Sequence, residues 1–314
     1  MYFLVRSAVR KDDLDGGAFV TTLCNVILLV AAVGTVSLLG SPPSWEATGV
    51  SWFVAAGLLG TFIGRILLFA GLRRIGPVRT ASITNTAPII TIGIAVVALG
   101  EELSSTALVA VALVLIGLSV LTVEAFQMPS QTIGRATDVA GSRATGEESI
   151  VRQRGRREIS RRAVVRFGTP AMVGLGLAAL SAVSFGTARV TRRIGLDTMP
   201  DPLVGAMVGA VTALVSNFLF QAWQGRLGSV VLASLRDVRI RLWLAGVCST
   251  IGLLTFFLAL RLEPLSHVAV IAASETIITL VLGSLLFRGR DRLSIRVAIP
   301  SLCVFAGGVL VALD

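Results

Sequence analysis

Glu275 sits in the middle of an apolar stretch, HVAVIAASETIITLVLGSLLF, running from 267 to 287. It is the one residue among 18 carboxylates placed well inside such a run. An ionisable side chain at membrane depth costs roughly 2.5–3.5 kcal/mol on insertion scales, so it persists where it is used or paired. A lone carboxylate in a low-dielectric surrounding is a natural proton carrier. The plainer reading is a neutral or paired carboxylate that fixes helix packing. Arg65 is the basic residue that lies deep in an apolar run. At ~1.5 Å per residue, Arg65 lies ~10 Å from one membrane face and Glu275 ~18 Å from the same face. Long side chains can lean across the difference. Arg65 and Glu275 are therefore expected to pair in one state and separate when proton or substrate enters. Arg65 could instead hold a substrate carboxylate or phosphate, which its forked donors suit, or reach back to the headgroups.

Other polar residues fall inside apolar runs: Asn25, Thr84, Asn85, Thr86, Ser184, Thr187 and Asn217. They could line a midplane cavity, although hydrogen bonding between helices accounts for most such residues. Pro88 removes a backbone donor and is expected to kink its helix, freeing a carbonyl. Cys24, Cys248 and Cys303 all lie in apolar runs and read as small hydrophobes, not as a disulfide or a metal site. His267, the sole histidine, falls at a run's end as an interfacial polar group. No metal and no cofactor are expected. The chain also has no G-x-x-x-x-G-K-[ST] loop for ATP, its single lysine being Lys11.

These residues need a lipid-embedded frame. The 314-residue chain is 54% hydrophobic and 15% charged, with a mean hydropathy of +0.84. Soluble domains carry roughly 25% charged residues. Nine runs are long enough to span: about 17–40, 50–72, 79–99, 105–124, 169–190, 203–223, 241–261, 266–287 and 294–313. Lipid offers no partner to open backbone groups, so the runs must be helices. The expectation is an all-α, polytopic membrane helix bundle. MYFLVRSAV, at the start, reads as the last turns of a further helix. Trp45, Trp52, Trp223 and Trp243 fall near run ends, where interfacial aromatics belong.

The net charge of +10 comes almost wholly from arginine between the apolar runs. That is the footprint of inner loops against anionic headgroups, so the expected partner is the bilayer and not nucleic acid. Residues 126–168 carry nine arginines without apolar periodicity until Ala163, and read as a mobile basic loop between two halves. Alternating the spans puts 23 of the 28 basic residues on one face and four (Arg189, Arg192, Arg193 and Arg261) on the other. The N-terminus and the loop 126–168 are thereby placed in the cytoplasm of a multi-pass plasma-membrane protein. Nine spans then leave Asp314 outside.

The halves repeat. Residues 57–78, GLLGTFIGRILLFAGLRRIGPV, align with 247–265, VCSTIGLLTFFLALRLEPL: Gly64 falls on Gly252 and Phe69 on Phe257. Arg74 and Pro77 meet Arg261 and Pro264 after a one-residue slip, and Asn25 matches Asn217. A unit of five spans turns its second copy upside down, as in many secondary transporters, whose sites lie between the repeats. The expected organisation is a first repeat at 1–125, the loop at 126–168 and a second repeat at 169–314. Gly60-x-x-x-Gly64 and Gly205-x-x-x-Gly209 permit close helix approach, within one bundle or in a homodimer.

Several short motifs point further. The first half carries Ala70-x-x-Arg73-x-Ile75, Thr86-Ala87-Pro88, Leu99-Gly100-Glu101-Glu102-Leu103 and a last span containing Gly117. The second carries Ala259-Leu260-Arg261, Ala273-Ser274-Glu275 and Ala306-Gly307-Gly308. In these features the chain resembles the EamA-type transporters of the drug/metabolite transporter superfamily. The resemblance implies ten spans in two inverted five-helix repeats, and export or exchange of small metabolites, amino acids or drugs. Against that pattern the first helix is largely missing. Arg288-Gly289-Arg290-Asp291-Arg292 also replaces the Gly-Glu pair that ends the fourth helix of a repeat. Glu101-Glu102 reads as a solvated turn.

The leading expectation is a secondary active transporter, proton-coupled through Glu275. A membrane-embedded enzyme on lipid or prenyl substrates is the alternative, disfavoured because such chemistry uses clustered Asp or His at membrane depth. A non-transporting accessory membrane protein is the third reading.

Overall fold

The computed structural model describes residues 14–40, 45–75, 80, 83–127, 169–225, 228, 240–273 and 295–312. Glu275, the loop after Gln127 and the Arg288–Arg292 stretch lie outside these residues. Among the described residues all regular structure is helical. Helix α1 is Leu14–Leu38. Helix α2 runs continuously as Ala47–Ala56, a π-helical segment Gly57–Ile63, and Gly64–Ile75. Then come α3 (Ala87–Leu99), α4 (Ser105–Gln127), α5 (Thr169–Thr198), α6 (Pro202–Trp223), α7 (Ile240–Leu262), α8 (Leu265–Ala273) and α9 (Ile295–Ala312). Each expected run carries a described helical segment. Among the described residues five helices (α1, α2, α5, α6 and α7) are long and apolar enough to cross a membrane.

Two boundaries differ from the sequence reading. The run 79–99 is not one helix: residues 85–86 form a turn, and α3 begins at Ala87. Pro88 therefore stands in the first turn of α3, where its missing N–H costs no hydrogen bond. It starts a helix and does not kink one. Second, α5 continues past residue 190 to Thr198, because no Pro interrupts the turns carrying Arg189, Arg192 and Arg193, and Gly195 is accommodated within them. Those arginines ride on a helix long and apolar enough to span, and not in a loop.

Local chemistry sets the helix ends. Asp201 accepts from Leu203 N and Val204 N at 3.0 and 3.1 Å, capping α6 ahead of Pro202, as N-caps do. α3 closes at Gly100, whose left-handed φ of +67° lets Glu101 N donate back to Ala95 O at 3.2 Å. Arg193 donates to Leu260 O and Glu263 O at 2.9 and 2.8 Å, placing a cation at the C-terminal end of α7. It is held there by Asp197 at 3.0 Å.

Among the described residues two hydrophobic clusters stand out. One gathers Leu29, Phe53, Ala95, Val190, Val204, Phe257 and Leu265, from helices of both halves. The other joins α3, α4, α8 and α9 through Ile92, Val114, Val270 and Val304. Here a side-chain carbon on Gly307 would sit 2.7 Å from Ala110 O, so α9 and α4 meet backbone to backbone. The same test turns the GxxxG pairs inward. Gly60 faces Ala188, Gly64 faces Phe185, and Gly205 faces Phe53 and Phe257. Gly57 faces the carbonyl of Gly209.

Candidate functional site

The five membrane-length helices converge on a small, partly open cavity. α1 contributes Thr21, Thr22 and Asn25, and α2 contributes Thr61 and Arg65. Arg192 comes from α5, Ala206, Gly209 and Ala210 from α6, and Ser249, Leu253 and Phe257 from α7. Small residues on α6 leave the space that hydroxyls and guanidinium groups occupy. Both halves of the chain supply walls.

The π-helical segment positions Arg65. Gly57 lies so close to the Gly209 carbonyl that a side-chain carbon there would approach it to 2.7 Å. The widened turn makes Gly64 N donate to Leu59 O, five residues back. Ser184 Oγ donates to the same carbonyl at 2.7 Å. Ser184, 6% exposed, is thus spent on the backbone of α2 and is not a cavity ligand.

Asn25 reaches the cavity, as expected from the sequence, but its amide ties α1 to α7. Thr250 Oγ1 donates to Gly246 O at 3.0 Å, which leaves it to accept from Asn25. In that amide orientation Asn25 Nδ2 lies 2.9 Å from Thr250 Oγ1, 3.0 Å from Gly246 O and 3.1 Å from Thr21 O. The amide oxygen then faces Ser249 Oγ, at 3.3 Å. Interhelical hydrogen bonds of this kind average ~0.6 kcal/mol and reach ~1.7. Four contacts on one amide make Asn25 a fastener at the cavity wall.

The other sequence candidates separate from the cavity. Asn217 lies on α6 away from the lining. Asn85 and Thr86 form the turn before α3, where Thr86 Oγ1 donates to Ile83 O at 2.7 Å. Thr84 meets Ser181 across to α5 at 3.2 Å. The local backbone claims short hydroxyl side chains at such breaks. Glu101 is not a solvated turn residue. Its two oxygens accept from Leu265 N at 2.7 Å and Ser266 N at 2.9 Å, clamping the first half of the chain to the start of α8.

Arg192 is the residue that sequence reasoning missed. It was counted with the outer loop, and so Arg65 looked like the lone deep cation. In the structure Arg192 enters the cavity wall with Arg65. Its guanidinium lies 5.6 Å from the Phe256 ring centroid and 5.5 Å from that of Phe257. Arg189, one turn earlier, stands 5.9 Å from Phe256. The overlooked signal was the spacing: Arg189 and Arg192 share a helix face, and no proline follows them until Pro200.

Comparison with known proteins agrees with this architecture. A solved crystal structure superposes with a TM-score of 0.61 at 17% identity, covering 98% of this chain and 91% of that one, a likeness of fold. No curated protein matches the sequence. The EamA-like transporter family model matches residues 1–123 and 172–313. Apolar helices from both halves of the chain and the cavity they line accord with that match: the chain belongs to the EamA-like transporter family.

Proposed function

We propose that this protein is a secondary active transporter, an exporter or exchanger of small molecules, working by alternating access around the cavity between α1, α2, α5, α6 and α7. The observation that carries this reading is the convergence of all five membrane-length helices on one polar cavity. Polar and charged residues at such depth are costly unless they serve a pathway. The halves 1–125 and 169–314 act as inverted repeats that rock about this site. The protein lies in the plasma membrane with the loop 126–168 in the cytoplasm. The move of Arg189 and Arg192 from the outer loops into a helix supports this by sharpening the positive-inside bias. Glu275 carries the coupling proton, and its exchange alters the hold on Arg65.

The test is flux in proteoliposomes, with a panel of small solutes and with or without a pH gradient. Wild-type protein should move at least one solute class and respond to the gradient. Ala210→Val, which narrows the cavity from α6, should lower that flux by more than the loss of folded protein seen in its melting. Glu275→Gln should leave exchange but remove the response to the gradient. A panel that never moves, with folded protein in both vesicle orientations, would sink the transporter reading.

A further inference from the structure

We infer that the cavity recognises a small organic anion, bearing a carboxylate or a phosphate ester, through the guanidinium groups of Arg192 and Arg65. This rests on the cavity being the transport site, and it names the substrate's charge.

The lining described above holds two arginines and, among the described residues, no carboxylate. The contacts of Arg192 among the described residues are the faces of Phe256 and Phe257. Stacking satisfies the face of a guanidinium and leaves its N–H edge to donate. That edge finds no acceptor among the described residues. Planar forked donors match carboxylate and phosphate oxygens two at a time. Gly60 keeps the approach open on the α2 side, since a side-chain carbon there would lie 3.4 Å from Arg192 Nη2 and 2.9 Å from Ala188 Cβ.

The rest of the lining fixes the size and the second end of the ligand. Thr61 brings a hydroxyl that makes no hydrogen bond to a described residue, and it lies one helical turn from Arg65. Leu253 and Phe257 form an apolar side. In this reading a compact anion sets its oxyanion against Arg192 and a short carbon body against α7.

The experiment measures binding, so it does not depend on flux. Full-length protein in detergent is titrated with succinate (the carboxylate arm) and glycerol 3-phosphate (the phosphate arm). Uncharged glycerol and cationic putrescine serve as matched controls, and melting temperature is the readout. At least one anion should raise the melting temperature saturably, and neither control should. Arg192→Gln should weaken that anion about ten- to a hundredfold, the scale of charge-assisted hydrogen bonds. Arg192→Lys, which keeps the charge without the fork, should fall between. A response to only one arm identifies which oxyanion is taken.

Three outcomes overturn the inference: neither anion stabilises the protein, a control stabilises it equally, or Arg192→Gln binds the anion as wild type does. If Arg192→Gln does not fold, Arg192→Lys carries the comparison. Saturable anion binding without flux would refute the transporter reading alone, and flux of neutral solutes without anion binding would refute this one alone.

Discussion

Gly205→Leu is expected to prevent the bundle from assembling, with a loss of more than about 3 kcal/mol, the upper end of overpacking costs. A first side-chain carbon at 205 would lie 2.7 Å from Phe53 Cζ and 2.9 Å from Phe257 Cε1. Neither ring can withdraw. Phe53 is wholly buried and Phe257 is 2% exposed, and the two rings pack at 5.9 Å between centroids. Phe53 also presses against Gly195, where an added carbon would come within 2.6 Å. Even Gly205→Ala should destabilise, because its strain outweighs the ~1 kcal/mol gain in helix propensity. Gly93→Ala is the control: nothing stands within 4 Å of its added carbon, so only the propensity gain should remain. Melting of the purified variants in detergent checks all three, and a Gly205→Leu protein as stable as wild type would refute the packing argument.

Glu101→Ala is the second large effect, expected at about 1.5–3 kcal/mol, the range for hydrogen bonds to a charged group. The carboxylate accepts two N–H groups that open α8, and a helix start has no partners of its own for them. The half-buried setting of Glu101 keeps water from replacing it fully. Glu101→Gln should recover only part of the loss, since an amide offers one acceptor where two are needed. Because the contact joins residues 164 or more apart in sequence, its rupture should also loosen α8 against α3. Hydrogen exchange at Leu265 and Ser266 would report this: protection unchanged in Glu101→Ala would show that the clamp does not hold.

The contrast between these residues explains what the sequence could disclose. Helix positions were readable because lipid leaves the chain one way to satisfy its backbone, so each apolar run becomes a helix. The helix facings were not. These helices are apolar on every side, and no polar stripe marks which residues look inward. Hence Asn25 and Arg65 line the cavity, whereas Asn217, as polar as they are in sequence, does not, and nothing in the sequence separates it from them. Ser184 and Thr86 were misread for another reason: a hydroxyl that satisfies a distant carbonyl looks, in sequence, like one waiting for a ligand. Arg192 was hidden among neighbours, since three arginines within five residues resemble a loop. Glu101 was hidden by its partner's distance.

The widened turn in α2 has a bearing on how this chain tolerates change in length. A regular helix loses its facing by about 100° for every residue removed. A single deletion in a spanning segment therefore normally turns everything beyond it away from its neighbours. Gly57–Ile63 already contains a surplus residue, taken up in bonds that reach five positions back. Removing one residue there would let the turn tighten to ordinary pitch and leave Arg65 on the same side of the helix. The same deletion one turn later, between Leu67 and Gly71, would swing the lower end of α2 off α5, where Gly71 now meets Ala178. The cavity's first cation is thus anchored to a stretch that can lose one residue, while the helix to either side of it cannot.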